Sequence, residues 1–201
     1  VAINDLAPID ANAFLLAHDT IHGPLNEKIS VKKNKIIIGK KIISVLSERD
    51  PKKLPWKKLK IDIALECTGL FTSKESASMH ISAGAKKVLV SAPCMNADKT
   101  IVYGVNDDEI SKNDLVISNA SCTTNCLAPV AKVIDEKFGI VHGYMTTIHS
   151  YTGDQKVLDT YHSDLRRARG AALSMIPAST GAAKAVGLVM PHLAGKLDGT
   201  A

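Results

Sequence analysis

Apolar positions in this chain come in short runs, broken by polar and turn-forming residues, and the runs alternate between strand-like and helix-like spacing. Val1–Asn4 reads as a strand ending at Asn4-Asp5, and Asn12–His18 carries its apolar residues at helical spacing. Ile29-Ser30-Val31 and Ile36-Ile37-Ile38 flank Asn34 as a hairpin, with Ile42–Leu46 as a further strand. Asp50-Pro51 and the lysines up to Trp56 form a connection. Ile61–Leu65 reads as a buried strand ending at Cys67-Thr68-Gly69, Lys74–Gly84 as a helix, and Val88-Leu89-Val90 as a strand ending at Ser91-Ala92-Pro93. Thr100–Tyr103 and Leu115–Ser118 are predicted strands. Strands alternating with helices predict an α/β fold with a mostly parallel, doubly wound sheet. From about Cys122 the pattern becomes a helix over Leu127–Ile134, a strand over Tyr144–Ile148 and a long polar stretch from Ser150 to Pro177. That stretch is longer than connections usually run, which predicts a functional loop.

The chemistry concentrates where the pattern changes. Ser121-Cys122-Thr123-Thr124-Asn125-Cys126 lies between the Leu115–Ser118 strand and the Leu127–Ile134 helix, so Cys122 falls at a helix start where backbone N–H groups are free to hold a thiolate or an oxyanion. His149 stands at the end of the Tyr144–Ile148 strand. A thiol among hydroxyl side chains, with an imidazole available to lower its pKa, is the makeup of a cysteine nucleophile. Cys126, one helical turn further on, is expected to be a packed structural cysteine. The four cysteines, at 67, 94, 122 and 126, lack metal-type paired spacing, so no metal site is predicted and free thiols in a reducing cytoplasm are the simplest account.

Composition narrows the partners. The net charge is 25 − 20 = +5, spread through Lys32–Lys41, Lys52–Lys60 and Arg166–Arg169; a single aromatic residue, Trp56, lies within these runs, so no aromatic–basic interleaving supports nucleic-acid binding. With 4% aromatic residues, the core must be built from Ile, Leu, Val and Ala. No apolar stretch is long enough to span a bilayer, and no N-terminal signal sequence is evident.

Four segments carry a resemblance. SNASCTTNCLAP at 118–129, TTIHSYT at 146–152, DLRRAR at 164–169 and STGAAKAVG at 179–187 together resemble phosphorylating glyceraldehyde-3-phosphate dehydrogenase, in the family's order and over essentially the whole chain. The resemblance implies an NAD-binding domain over 1–121 and the first part of an α+β catalytic domain over 122–201, with the loop after Ser150 approaching a neighbouring subunit in a cytoplasmic homotetramer. It implies that glyceraldehyde 3-phosphate and inorganic phosphate react at Cys122, with His149 as the base. Erythrose-4-phosphate dehydrogenase shares the Cys and His motifs, but STGAAKA at 179–185 looks like the phosphorylating type.

The resemblance also distributes the binding residues. Asp5, read from the sequence as either a helix cap or a ribose-binding carboxylate, matches the family's ribose position. Arg49 lies beside the adenine in relatives, and Thr68, Gly69 and Ser91, otherwise turn residues, become cofactor contacts. Phe71 is either a wall of the adenine pocket or a core residue. Two anion sites are implied, built from Ser121, Thr123, Thr152, Arg167, Thr180 and Gly181; Arg166 and Arg169 compete with Arg167 for the role. Asp5-Leu6 resembles the NAD-preferring pattern, whereas Leu158–His162 departs from the Leu-Pro common in NAD-specific relatives, which leaves NADP use open. No G-x-G-x-x-G occurs. On the resemblance, the chain opens on the family's second strand and stops before a phosphate-binding arginine, so the 201 residues by themselves are expected to be inactive and poorly soluble.

Overall fold

The computed structural model describes residues 1–201, which sort into two compact units: Val1–Ala64 with Ser78–Lys86, and Leu65–Ala77 with Lys87–Ala201. In the first, β1 (Ala2–Asn4), α1 (Ile9–Ala17), a short hairpin of β2 (His18–Asp19) and β3 (Gly23–Pro24), β4 (Ile29–Lys32), β5 (Lys35–Ile38) and β6 (Lys41–Leu46) follow in order. The sheet order is β1-β6-β5-β4, with β1 parallel to β6 and the β4-β5-β6 meander antiparallel. The predicted turn at Asn34 is there, with Lys33 at φ 55°. Ile36 is almost wholly buried and packs with Ala13 and Val45, so α1 closes one face of this sheet.

After α2 (Trp56–Leu59), the indole N–H of buried Trp56 donates to His80 Nδ1 at 2.9 Å. The predicted 74–84 helix is two short pieces, α3 (Lys74–Ala77) and α4 (Met79–Ser82). Ser76 Oγ donates to the Ser73 carbonyl at 3.1 Å and Ser82 Oγ to the Ser78 carbonyl at 3.3 Å, each beside the backbone N–H that the carbonyl also accepts. Gly84 ends the run at φ +106°; a Cβ there would lie 2.7 Å from the Lys57 backbone.

The second sheet has the order β7-β8-β10-β9, from β7 (Ile63–Glu66), β8 (Lys87–Val90), β9 (Lys99–Thr100) and β10 (Val116–Ser118). β10 is buried throughout and runs parallel to both β8 and β9. The predicted 100–103 strand shortens to Lys99–Thr100. Asn106 Oδ1 accepts the Val102 N–H at 3.0 Å, which turns the chain out of the ladder. Beyond β10 come α5 (Cys122–Phe138), β11 (Gly143–Thr146), α6 (Ala182–Val189) and β12 (Leu197–Thr200), with β11 and β12 parallel. Between β11 and α6, residues 150–177 hold only one turn of 3-10 helix at Leu165–Ala168, as the long polar stretch predicts.

α5 buries a stripe of Thr124, Ala128 and Ala131 at helical spacing, and the two alanines share a core with Val186, Val189 and Leu193. Their small side chains let α5 and α6 approach closely. Cys126 points away from that stripe and is exposed, which corrects its expected packing.

Candidate active site

The position of Cys122 is set from four residues before it. Ser118, fully buried at the end of β10, donates its hydroxyl to the Ala92 carbonyl at 3.0 Å and accepts the N–H of Cys94 at 3.1 Å and of Ala120 at 3.2 Å. Ala120 then takes φ +56°, a left-handed conformation that costs a non-glycine residue about 1–2 kcal/mol. The Asn125 side chain spans this turn, donating to the carbonyls of Asn119 at 2.7 Å and Ser121 at 2.9 Å. Ser121 caps α5 by accepting the Thr124 N–H at 3.0 Å. Cys122 is thus the first residue of a 17-residue helix, at its positive end.

His149 lies three residues past β11. The pairing of β11 with β12 continues through the Thr147 N–H, which donates to the Thr200 carbonyl at 3.0 Å, and so brings the imidazole to the helix start. Cys122 Sγ and His149 Nε2 are 3.2 Å apart. His149 Nδ1 lies 2.5 Å from the Ser150 carbonyl. A carbonyl only accepts, so Nδ1 carries a proton and Nε2 is left to exchange one with the thiol. The hydrogen bond to His149, followed in smaller measure by the Thr123 backbone and hydroxyl, holds the Cys122 thiol below the usual thiol range against the opposing effect of partial burial. The same bond raises His149, helped by the Ser150 carbonyl, while the positive charge of Arg167 opposes it. Burial pushes the Cys94 thiol up instead.

The residues expected to hold anions differ in what they touch. Thr123 touches the thiol. Ser121's hydroxyl is committed to the helix cap and to Thr124 Oγ1 at 2.7 Å. Thr180 Oγ1 accepts the Ala182 N–H at 3.2 Å, the first N–H of α6, and Gly181 is the residue at that helix's N-terminal cap position. Arg167 donates to Asp154 at 2.9 Å and to the Ser179 carbonyl at 3.1 Å, and it is the arginine whose charge is felt at His149. Arg166 is instead paired with Asp164 and Arg169 with Asp159. Thr152 donates to Gln155, a residue that sequence reading missed; the Gly153-Asp154 turn between them was the available signal. His162 and His192, read as structural or surface residues, bond with Asp164 and Asp135.

The residues expected to meet the cofactor are exposed at strand ends. In the first unit, Asp5 follows β1; one carboxylate oxygen accepts the Ala7 N–H at 2.8 Å and the other remains available. Arg49 follows β6, exposed. In the second unit, Thr68 follows β7 with its hydroxyl on the Glu66 carboxylate, and Gly69 stands at φ +74° with open space where a Cβ would be. Ser91 follows β8 and donates its N–H to the Glu66 carbonyl at 3.0 Å. Phe71 is half-buried.

A thiol–imidazole pair at a strand-to-helix junction of an α/β chain is an arrangement that suits cysteine-nucleophile chemistry. Comparison with known proteins narrows this. Residues 1–74 match the family described as glyceraldehyde 3-phosphate dehydrogenase, NAD binding domain, and residues 121–201 match glyceraldehyde 3-phosphate dehydrogenase, C-terminal domain. The chain is 60% identical over 200 residues to the glyceraldehyde-3-phosphate dehydrogenase of Xanthobacter flavus, covering 100% of this chain and 60% of that protein. The enzyme of the same name from Cereibacter sphaeroides is 60% identical over 199 residues (99% of this chain, 59% of that protein), and the one from Geobacillus stearothermophilus is 57% identical over 202 residues (100% and 60%). The chain therefore belongs to the glyceraldehyde-3-phosphate dehydrogenase family. It spans about 60% of the length of these curated relatives.

Proposed function

We propose that this chain carries the reaction centre of an NAD-dependent, phosphorylating glyceraldehyde-3-phosphate dehydrogenase, with residues 1–121 serving the cofactor and 122–201 the chemistry. The observation that carries this reading is the 3.2 Å contact between Cys122 and His149 at the start of α5. The Cys122 thiolate adds to the aldehyde carbon, forming a carbon–sulfur bond and an alkoxide that receives a proton from His149. His149 takes that proton back as the C–H electron pair departs, leaving a thioester on Cys122. Bound NAD supplies the hydride acceptor. An oxygen of inorganic phosphate then attacks the thioester carbonyl, and the carbon–sulfur bond breaks to release 1,3-bisphosphoglycerate and the thiolate. The N–H groups at the start of α5, the Thr123 hydroxyl, Arg167 and the Thr180-Gly181 start of α6 are the donors for the oxyanion and the two phosphate groups, with Thr152 and Ser121 beside them.

In the first unit, Asp5 would serve the ribose hydroxyls and Arg49 the adenine; in the second, Thr68, Gly69 and Ser91 would let backbone come close to the ligand. Asp5 would face a 2′-phosphate with like charge. Asp5→Gly is expected to narrow the preference for NAD over NADP by about tenfold, read as the ratio of kcat/KM values; an unmoved ratio would remove Asp5 from the ribose.

The loop over 150–177 exposes Val157, Leu158, Tyr161, Leu165, Leu173 and Met175, apolar surface of the kind a neighbouring subunit covers. This supports a homotetramer, which light scattering on the full-length protein would report. Four free thiols support a cytoplasmic setting. No helix is long and apolar enough to cross a membrane.

NADH formation by the full-length protein with glyceraldehyde 3-phosphate, with and without phosphate, tests the function. Turnover indifferent to phosphate would count against the phosphorylating reaction. The same assay on the 201-residue polypeptide alone is expected to show none. Ile63 and Leu65 are exposed on β7, a surface prone to association.

A further inference from the structure

We propose that Gln155 is a positioning residue that holds Thr152 and Arg167 at one fixed spacing for a phosphate group, an inference that rests on the anion-site reading above. Gln155 Oε1 accepts two hydrogen bonds from Thr152, one from the backbone N–H at 2.6 Å and one from the hydroxyl at 3.1 Å. Its own N–H donates back to the Thr152 carbonyl at 3.1 Å, which closes the 152–155 turn. On the far side of the amide, Gln155 Nε2 donates to Asp154 Oδ2 at 3.3 Å, the same oxygen that accepts Arg167 Nη1 at 2.9 Å. The Asp154 N–H reaches Thr152 Oγ1 at 3.4 Å. A continuous chain of hydrogen bonds therefore runs from the Thr152 hydroxyl through Gln155 and Asp154 to the Arg167 guanidinium.

Only a side-chain amide serves both ends of this chain. Thr152 requires an acceptor and the Asp154 carboxylate requires a donor, and one short planar group must present both. A carboxylate at 155 would accept from Thr152 but set a like charge beside Asp154. An apolar side chain would serve neither. Arg167 has further restraints, the Ser179 carbonyl at 3.1 Å and Asp164 at 3.8 Å, so loss of Gln155 would loosen the guanidinium rather than release it. Besides Gln155, the Thr152 hydroxyl has only the long contact from the Asp154 N–H, at 3.4 Å. The deficit is therefore one of phosphate binding: two groups that must contact one anion together lose their shared reference, while Cys122 and His149 keep theirs in α5 and the Ser150 carbonyl.

The test is steady-state kinetics on the full-length protein, with KM measured separately for inorganic phosphate and for glyceraldehyde 3-phosphate. Gln155→Met, which keeps the length and removes the polar atoms, is expected to raise at least one of the two KM values about 5- to 20-fold with kcat changed less than about twofold. Gln155→Glu is expected to do the same or worse, and it guards against a packing defect peculiar to the first variant. In an Arg167→Ala background, Gln155→Met should cost less than it does alone, because it acts through the missing group. If Arg167→Ala and Thr152→Ala raise KM but neither Gln155 variant does, the bridge is refuted and the anion site stands. If Arg167→Ala and Thr152→Ala also leave both KM values unmoved, the anion-site reading falls with it. A loss confined to kcat, or full additivity with Arg167→Ala, would likewise overturn the positioning role.

Discussion

Replacing Cys122 by serine is expected to abolish NADH formation, by on the order of 10⁴-fold or more, because the bond to the aldehyde carbon has no other nucleophile. A serine hydroxyl at the same place would meet the same helix start and the same imidazole. It would form an oxygen ester in place of a thioester, which phosphate cleaves far less readily, so geometry alone would not rescue the reaction. The assignment predicts thiol reactivity as well. Brief treatment with iodoacetamide near neutral pH should label Cys122 first. The thiol of Cys94 is buried with its pKa raised, so its thiolate is scarce, whereas the thiol of Cys122 is held below the usual range by His149. Exposure does not separate Cys122 from Cys67 and Cys126, which are open to solvent too. What separates it is the imidazole at 3.2 Å. Peptide mass spectrometry showing Cys67 or Cys126 labelled ahead of Cys122 would defeat the assignment.

The second large effect belongs to His149. Asparagine at this position would keep a polar group of similar reach but could not take a proton, so turnover is expected to fall about 10²–10⁴-fold. The pH dependence should move in a defined direction. Alkylation follows the thiolate fraction, which falls as pH drops through the thiol pKa. In the wild type that pKa is lowered chiefly by His149, so reactivity persists to lower pH than for an ordinary thiol. In His149→Asn the midpoint should rise toward the ordinary thiol range of about 8.5. The gap between the two profiles should be widest below that range and vanish well above it, where both thiols are ionised. Superimposable profiles would mean that His149 does not control the thiol.

The strand-to-helix junction at Cys122 was legible in the sequence because its signals are local. An apolar run, a serine cap and a helical repeat occupy adjacent residues, and each biases the backbone on its own. The hairpin at Asn34 and the strand ends at Asp5, Thr68 and Ser91 were legible for the same reason. What periodicity could not give was the outcome of competition for hydrogen bonds. Asn106 draws Val102 out of a strand whose residues favour pairing. Cys126 shows a further limit. Its neighbours fit a helix, but which face is buried depends on α6, some sixty residues on, and that face is the Thr124–Ala128–Ala131 stripe. Within the loop over 150–177, the arginine cluster gave three candidates, and only folding distinguishes Arg167, tied to Asp154 and the Ser179 carbonyl and felt electrostatically at His149, from Arg166 on Asp164 and Arg169 on Asp159. Gln155 had no pattern of its own. Its role depends on partners on both sides of one turn.

The hydrogen bond from His149 to the Ser150 carbonyl carries a consequence for heredity. Many catalytic imidazoles are aimed by a carboxylate, and a single codon change can delete that side chain. Here the acceptor belongs to the main chain and is encoded by no particular triplet, since every amino acid at position 150 brings the same carbonyl oxygen. Missense change at that codon leaves the acceptor in existence, and only a rearrangement of the backbone removes it. The orientation of the His149 ring is thereby shielded from missense change at position 150, while the thiol 3.2 Å from it is carried by a side chain that one codon change can delete.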